Sequence, residues 1–381
     1  MYTPVIILRT TSNCNMKCSY CYDKNKLKNE ENPDILFKNN INNIIQYINR
    51  LSSIGGGSDR KIILHGGEPL LIKSDTYKNF FEELLNSGGK CSISVQTNGT
   101  LLDMDYINIF KKYNIHIGIS LDGCDESSNA CRLYADKKNT FSDVYNKINL
   151  LKEYNIDFGI IMTINKNLIN REKELYSFIS NNNLKCSIRP AFPTKCNKEI
   201  IMSASEYEAF FINLYKIWSN DISKKIKLKQ IEDLYQEMRK ALDDNYRTHF
   251  CSDSKSCFGN FFALDVYGEL YACNRSFYNK KFYYGNINYI SDKEILEKAK
   301  KLKESRCFSV LNSRCQECEL LKNCFGGCPA IAEGIYDSLC AIEDSFCKAK
   351  IGINKYIKKD LEKSGSIEKY NKYIQQNNHI T

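Results

Sequence analysis

Short apolar segments alternate with segments of helical periodicity over the first half of this 381-residue chain. Strands that alternate with helices in this way form parallel βαβ units. Glycine-rich or polar motifs directly follow several of these strands, which is where barrel enzymes place their active sites. We therefore predict an α/β fold, a partial (β/α)6 TIM-like barrel, with these six strands: Pro4–Leu8, Lys61–His65, Cys91–Gln96, Ile115–Ser120, Phe158–Thr163 and Lys185–Arg189. The helices predicted between them are Ile35–Leu51, Thr76–Ser87, 103–113, Phe141–Tyr154 and Lys173–Asn181.

The loop after the first strand carries three cysteines, Cys14, Cys18 and Cys21. Thiolates are soft ligands that suit iron–sulfur clusters or zinc. Because three ligands are one short of a tetrahedral set, a [4Fe–4S] cluster held here would keep one iron free to bind another molecule. A zinc knuckle or a redox-inert cysteine cluster is the alternative that this motif alone leaves open.

The second strand ends in the motif Gly66–Gly67–Glu68–Pro69. Glycines let the main chain approach a ligand closely, and carbonyl groups at a strand end can accept hydrogen bonds from an ammonium group. A turn without function would also use glycine and proline. The position directly after a strand favours the functional interpretation. The third and fourth strands run into two further motifs, Gln96–Thr97–Asn98–Gly99–Thr100 and Ser120–Leu121–Asp122–Gly123.

A second set of cysteines begins at residue 251. Its members are Cys251, Cys257, Cys273, Cys307, Cys315, Cys318, Cys324, Cys328, Cys340 and Cys347. Segments Phe261–Val266 and Glu269–Ala272 flank Gly268, which predicts a β-hairpin with a glycine turn. The spacing C-x2-C-x5-C-x3-C from Cys315 to Cys328 is typical of metal sites, and a pair of zinc sites is the alternative to iron–sulfur clusters.

The composition restricts the partners and the compartment. Eighteen cysteines in a chain without an export signal favour metal sites over disulfides, because the cytosol keeps thiols reduced, so we expect a cytoplasmic protein. The net charge is +9, but the lysines are scattered, so we expect a solvated surface and no nucleic-acid partner. No apolar run approaches the length of a membrane span, so we expect no membrane partner either.

The chain is predicted to have four parts. A barrel covers residues 1–200, and a bridge at 201–246 contains helices Tyr207–Trp218 and Ile226–Leu242. A cysteine-rich domain covers 247–350, and a lysine-rich C-terminal helix covers 351–381.

The cysteine loop, with its C-x3-C-x-aromatic-C pattern, and the three strand-end motifs together resemble the radical S-adenosylmethionine (SAM) superfamily. The resemblance implies that Cys14, Cys18 and Cys21 are catalytic and hold a [4Fe–4S] cluster whose open iron chelates SAM. Reductive cleavage of SAM would give a 5′-deoxyadenosyl radical that abstracts a hydrogen atom, with an external one-electron reductant of the flavodoxin or ferredoxin type. The residues implied at the SAM site are Tyr20, Gly66, Gly67, Glu68, Pro69, Gln96, Asn98, Ser120 and Arg132. The His-Asp pair that usually precedes this arginine is missing.

The second set of cysteines resembles the SPASM domain, an extension with two auxiliary [4Fe–4S] clusters, which would bring the total to three. The resemblance implies these ligands for the first auxiliary cluster: Cys251, Cys257, Cys273 and Cys328. It implies these for the second: Cys315, Cys318, Cys324 and Cys347. Cys340 is a rival for Cys347, and Cys307 is a spare.

Enzymes of this subfamily modify peptides or proteins, and the layout is especially similar to that of anaerobic sulfatase maturases. In those enzymes an aspartate follows the third auxiliary cysteine and acts as the base, whereas this chain has Asn274 after Cys273. A carboxamide cannot act as a general base. We therefore favour a peptide maturase that forms a thioether or carbon–carbon cross-link. The alternatives are a formylglycine-generating sulfatase maturase, small-molecule chemistry, or a non-enzymatic iron–sulfur protein. Because the first strand begins by residue 4, we expect no separate N-terminal leader-binding domain.

Overall fold

The computed structural model describes the chain in ten ranges that together form two compact units. The described residues are 2–23, 30–57, 59–193, 197–221, 230–243, 246, 251–253, 255, 257–342 and 346–363. The first unit comprises Met1–Thr163 with Ser256–Cys307, and the second comprises Ile164–Lys255 with Phe308–Thr381. The predicted division into four parts stays a prediction.

The first unit is built on one sheet. Its strand order is β5-β4-β3-β2-β1-β7-β8-β9. Strands β1 to β5 are parallel, and β7 lies parallel to β1 on its other side, so the predicted parallel α/β architecture is confirmed. The bounds are β1 Val5–Thr11, β2 Arg60–Gly66, β3 Cys91–Thr97, β4 His116–Ser120, β5 Phe158–Ile164, β7 Phe261–Asp265, β8 Glu269–Tyr271 and β9 Tyr283–Asn286.

The predicted hairpin is present as β7 and β8, which pair antiparallel across the turn at Gly268. Its position was not predicted. Strand β7 pairs with β1 from Val5 opposite Phe261 to Arg9 opposite Asp265, so the hairpin continues the sheet of the first unit. As a result, the residues after β8 belong to the same compact unit as the first cysteine loop.

Alternate residues along the parallel strands form the core of the sheet, as expected when successive side chains point to opposite faces. Those exposed by 3% or less are Ile6, Leu8, Ile62, Leu64, Ile93, Val95, Ile117, Ile119, Ile160 and Met162. This alternation fixes the register of the strands and holds their C-terminal ends, with the motifs that follow, at fixed positions.

The first unit contains these helices: α1 Pro33–Asn39, α2 Ile41–Ser53, α3 Ser74–Asn86, α4 Met104–Lys112, α5 Phe141–Glu153, the single irregular turn α9 Cys257–Asn260, and α10 Asp292–Leu311, which runs past the boundary of the unit. The single helix predicted at Ile35–Leu51 is wrong, because the chain breaks at Asn40. The Asn40 side chain donates a hydrogen bond to the Leu36 carbonyl at 2.9 Å and so satisfies the end of α1.

The second unit contains the sixth strand, β6 Cys186–Pro190. Its helices are α6 Glu172–Asn181, α7 Ala204–Asn220, α8 Glu232–Leu242, α11 Leu321–Cys324, α12 Pro329–Tyr336 and α13 Cys347–Lys363. Helices α7 and α8 both pack on α13. The contact with α7 includes the rings of Tyr207 and Phe346, 4.8 Å apart, and a 2.8 Å hydrogen bond from the Tyr215 hydroxyl to Asp360.

The predicted helices of the bridge and the C-terminus are partly described. Residues 226–229 of the predicted Ile226–Leu242 helix and residues 364–381 of the C-terminal helix lie outside the described residues. Within the described ranges, no helix combines the length and the apolar character needed to cross a membrane.

Candidate active site and metal centres

The loop with Cys14, Cys18 and Cys21 is held by the segment that follows β4. The backbone N–H of Lys17 donates to the Leu133 carbonyl at 2.8 Å, and that of Ser19 donates to the Cys131 carbonyl at 2.9 Å. These bonds fix the middle of the cysteine loop, although the loop has no regular secondary structure of its own. The three thiols are therefore carried on a supported backbone.

Burial disfavours the charged form of these thiols. It raises the pKa of Cys14 to about 12 and that of Cys21 to about 11, and it also raises the pKa of Cys18. Thiolates at such positions need a bound cation to stay deprotonated. The donor set therefore fits an iron–sulfur cluster, in which the iron supplies that charge.

The glycine motif after β2 contacts the cysteine loop directly. Gly67 N–H donates to the Thr11 carbonyl at 2.9 Å, and Glu68 N–H donates to the Asn13 carbonyl at 2.8 Å. A Cβ on Gly67 would lie 2.0 Å from the Asn13 carbonyl oxygen, closer than any real contact. The approach of a ligand at this glycine stays a prediction, and the structure gives a second reason for the residue. The absence of a side chain is already required by the protein's own backbone.

Glu68 joins the ends of β2 and β3. Its side chain is buried, with 1% exposed, and accepts hydrogen bonds from Leu70 N–H at 2.9 Å, from the Thr97 hydroxyl at 2.5 Å and from Asn98 N–H at 2.8 Å. Burial raises the pKa of this carboxyl, and the same three hydrogen bonds oppose the rise. Both carboxylate oxygens are engaged by the protein, so this side chain positions the motif, and Pro69 begins the following turn.

The polar side chains predicted at the ends of β3 and β4 form two groups. Gln96 donates to the Ser120 hydroxyl at 3.0 Å. Asn98 donates to the Asn15 side-chain oxygen at 2.9 Å, and its nitrogen lies 4.0 Å from the Cys14 sulfur. The structure therefore brings Asn98 to the cysteine loop, while Gln96 and Ser120 pair with each other on adjacent strands.

The Tyr20 hydroxyl lies between Arg132 and the carboxylate of Asp122, a residue that was not among the predicted site residues. The Tyr20 hydroxyl donates to Asp122 at 2.5 Å and accepts from Arg132 at 2.9 Å. Asp122 is fully buried and also accepts from Thr163 N–H at 2.9 Å. Burial raises the pKa of Asp122, and Arg132 lowers it. The position of Asp122 within the strand-end motif was the signal that could have identified it.

Asn274, which directly follows Cys273, is held in a buried network. Its side-chain oxygen accepts from Arg9 at 2.9 Å, and its nitrogen donates to the Tyr22 hydroxyl at 2.9 Å. Arg9 also forms an ion pair with Asp23 at 2.9 Å. Arg9 was missed because it lies in an apolar strand, 265 residues away from Asn274.

Four predicted ligands of the first auxiliary cluster divide between the two units. Cys257 and Cys273 belong to the first unit, and Cys251 and Cys328 to the second. Beside the first pair lies Tyr284, whose hydroxyl is buried without a hydrogen-bond partner among the described residues. Burial raises the pKa of Tyr284, and the sulfurs of Cys257 and Cys273 add to the rise. A buried hydroxyl beside two thiols fits a sulfur-rich group that could accept its hydrogen bond.

The predicted ligands of the second auxiliary cluster line one cavity within the second unit; we call it the second auxiliary site. These ligands are Cys315, Cys318, Cys324 and Cys347. Apolar residues Leu320, Leu321, Ile342 and Ile351 form much of the remaining lining. Helix α12 separates Cys324 from Cys347 in the sequence, yet all four cysteines line the same cavity. A set of four thiols fits a [4Fe–4S] cluster. None of the seventeen described cysteines forms a disulfide.

The turn from Phe325 to Gly327 separates Cys324 from Cys328. All three of its residues have positive φ, at 47°, 76° and 79°. Two glycines meet this requirement at little cost, whereas Phe325 is an exception that ends α11. The chain therefore reverses between two cysteines that were predicted to bind different clusters.

Comparison with known proteins identifies the class. Residues 8–179 match the family model described as Radical SAM superfamily, and the chain is an enzyme. The Cysteine-type anaerobic sulfatase-maturating enzyme of Clostridium novyi is 26% identical over 376 residues, which covers 94% of this chain and 97% of that protein. The Serine-type anaerobic sulfatase-maturating enzyme of Klebsiella aerogenes is 25% identical and covers 83% of this chain and 77% of that protein.

Solved structures show the same fold. The structure described as native anSMEcpe with bound AdoMet and Cp18Cys peptide is 22% identical, with a TM-score of 0.75, covering 94% of this chain and 98% of that one. SuiB of Streptococcus suis bound to the precursor peptide SuiA is 16% identical, with a TM-score of 0.63, covering 91% and 76%. The predicted resemblance and fold class are confirmed. The assignment of single residues to SAM or to iron stays a prediction.

Proposed function

We propose that this enzyme is a peptide maturase that uses SAM and three [4Fe–4S] clusters to remove two hydrogens from a peptide and form a thioether or carbon–carbon cross-link. The observation that carries the choice of reaction is the environment of Asn274. Its amide oxygen accepts from Arg9, and its amide nitrogen donates to Tyr22. A side chain used in this way is neutral, fixed and unable to take up a proton.

The difference between the candidate reactions is the need for a base. Formylglycine formation must remove a proton from oxygen or sulfur of the substrate side chain. A cross-linking enzyme can bind its substrate as a thiolate, so the residue after Cys273 need not be acidic. The neutral amide at Asn274 supports the second chemistry.

The chain's own residues would bind and orient the cofactors. Cys14, Cys18 and Cys21 would hold the cluster that binds SAM, which supplies the 5′-deoxyadenosyl radical when reduced. The backbone of Gly66–Pro69 would bind the methionyl end of SAM, and Ser120 would bind its carboxylate. The engaged side chains of Glu68 and Asp122 would keep this surface rigid.

A sulfatase maturase is the second candidate. The overall similarity to the Clostridium novyi enzyme favours it, since that similarity extends over nearly the full length of both chains. Such a reaction would require a base other than Asn274.

We further propose a peptide or protein substrate and an external one-electron reductant of the flavodoxin or ferredoxin type, in the cytoplasm. The peptides in the solved relatives support the substrate class. The lack of disulfides among the seventeen described cysteines supports a reducing compartment. Neither a nucleic acid nor a membrane is part of this proposal.

The test uses anaerobically reconstituted enzyme, SAM, dithionite and a short candidate peptide that contains cysteine. Mass spectrometry should show the loss of two hydrogens, and the product should not react with a hydrazide that captures aldehydes. A sulfatase-derived peptide carrying Cys or Ser should stay unconverted. The Cys14→Ala variant, which removes one cluster ligand, is the negative control.

An aldehyde on the sulfatase peptide would contradict the cross-linking proposal. If its rate were also unchanged in Asn274→Ala, the base for that reaction would lie elsewhere in the chain.

A further inference from the structure

Two cationic side chains contact the sulfurs of the second auxiliary site. Lys350 Nζ lies 3.9 Å from the Cys324 sulfur, and the Arg314 side chain donates a hydrogen bond to Cys347. The two cations reach two different predicted ligands of the same cavity. No feature of the sequence analysis assigned either residue a role.

Both cationic residues lie close in the sequence to predicted cluster ligands. Lys350 follows Cys347 by three residues on α13, so the two side chains lie on the same face of the helix. Arg314 directly precedes Cys315 in a short 3-10 turn. Lys350 is half-buried and belongs to the lining of the cavity, with Leu320 and Ile351 among its apolar neighbours there.

Cations at this position affect a cluster through its charge. A [4Fe–4S] cluster bound by four thiolates is negatively charged and gains one more negative charge on reduction. Net charge and hydrogen bonds to the sulfurs are the main factors that set its reduction potential. The apolar residues beside Lys350 reduce the screening by water of its interaction with the ligand sulfur, whereas Arg314 is exposed and its interaction is screened more strongly.

We propose that Lys350 and Arg314 raise the reduction potential of a [4Fe–4S] cluster at the second auxiliary site and make it a better electron acceptor. This inference rests on the proposed function, which places a cluster there. In that reaction one hydrogen atom passes from the peptide to the 5′-deoxyadenosyl radical. The second hydrogen would leave as a proton to solvent and an electron when the cross-link bond forms; an auxiliary cluster would accept this one electron, which balances the electron spent on cleaving SAM.

The experiment measures the potential directly in the full-length protein. Cys14, Cys18 and Cys21 are replaced by Ala, so only the two auxiliary clusters remain, and a potentiometric titration is followed by electron paramagnetic resonance. The titration shows a reduction step for each cluster, and the step that disappears when Cys318→Ala is added belongs to the cluster of the second auxiliary site. Lys350→Met and Arg314→Gln should each move this step to a more negative potential, and the double variant should move it further.

Matched variants separate charge from structure. Lys350→Arg keeps the cation and should leave the potential close to that of the parent. Lys348→Met removes an exposed lysine from the same helix and should not shift the step. Iron content is measured on every variant.

An unchanged potential in Lys350→Met and Arg314→Gln, with iron retained, would overturn the inference and leave the proposed function intact. If Lys350→Met loses iron, Lys350→Gln, which keeps a hydrogen-bond donor, takes its place, and an unchanged potential there overturns the inference equally. The absence of any step assigned by Cys318→Ala would instead overturn the cluster proposed at this site.

Discussion

At the scale of single residues, buried polar side chains hold the strand ends in place. Arg132 is 6% exposed and bonds to the Tyr20 hydroxyl, which in turn bonds to the fully buried Asp122. Asp122 also accepts from the backbone of Thr163 at the end of β5. The Asp122 carboxylate thus connects the cysteine loop to the ends of β4 and β5.

Replacing Arg132 with Met should lower the free energy of unfolding by about 1–3 kcal/mol, because it removes the hydrogen bond to the buried Tyr20 hydroxyl and the positive charge that favours the Asp122 carboxylate. The free energy of unfolding in urea, measured on anaerobically reconstituted protein, checks this. Lys138→Met is the control, since Lys138 lies in the same loop and pairs with Asp136 at the exposed surface. An Arg132→Met protein as stable as Lys138→Met would show that Asp122 is neutral or solvated.

At the scale of secondary-structure elements, the cysteine loop is supported from two sides. The segment after β4 bonds to Lys17 and Ser19, and the glycine motif after β2 bonds to Thr11 and Asn13. An irregular loop that carries three ligands gains its geometry from these neighbours. The motifs at the strand ends are therefore supports for the cysteines as well as candidates for SAM binding.

Gly67→Ala should remove the cluster of the first cysteine loop, since the added Cβ would collide with the Asn13 carbonyl. We expect iron to fall from about twelve to about eight per chain, with loss of SAM binding. Gly159→Ala is the control, because no atom lies within 4 Å of a Cβ built there. Full iron content together with lost SAM affinity would instead show that Gly67 is required by the ligand.

At the scale of the whole molecule, the cysteines form sets that the chain order does not reveal. Cys257 and Cys273 lie in the first unit together with Cys14, Cys18 and Cys21. The four cysteines of the second auxiliary site share one cavity in the second unit. The cysteines of the first loop and those of the second auxiliary site belong to different units, so loss of one of these two sets should leave the other occupied.

Anaerobic reconstitution should give about twelve irons in three clusters, and replacing Cys14, Cys18 and Cys21 with Ala should leave about eight and abolish SAM cleavage. Iron and acid-labile sulfide are assayed together with formation of 5′-deoxyadenosine. Tight stoichiometric zinc without labile sulfide would contradict the cluster assignments.

The sequence alone was sufficient for the elements that depend on local pattern. Periodicity and turn residues predict the six strands, most of the helices and the hairpin at Gly268. The structure has these elements within a few residues of the predicted bounds. The cysteine motifs were equally readable, because ligand spacing is a local property. The break at Asn40 was missed because a single side-chain hydrogen bond outweighed an uninterrupted apolar pattern.

Only the tertiary structure decided what these elements contact. The pairing of β7 with β1 joins segments more than 250 residues apart. The hydrophobic pattern of β1 does not show which strand pairs with each of its two edges. The same holds for Arg9, whose bond to Asn274 depends on that pairing, and for Gly67, whose close neighbour is the backbone of another loop. Hydrophobic pattern fixes which side of a strand is buried, but long-range neighbours follow from how all the elements pack together.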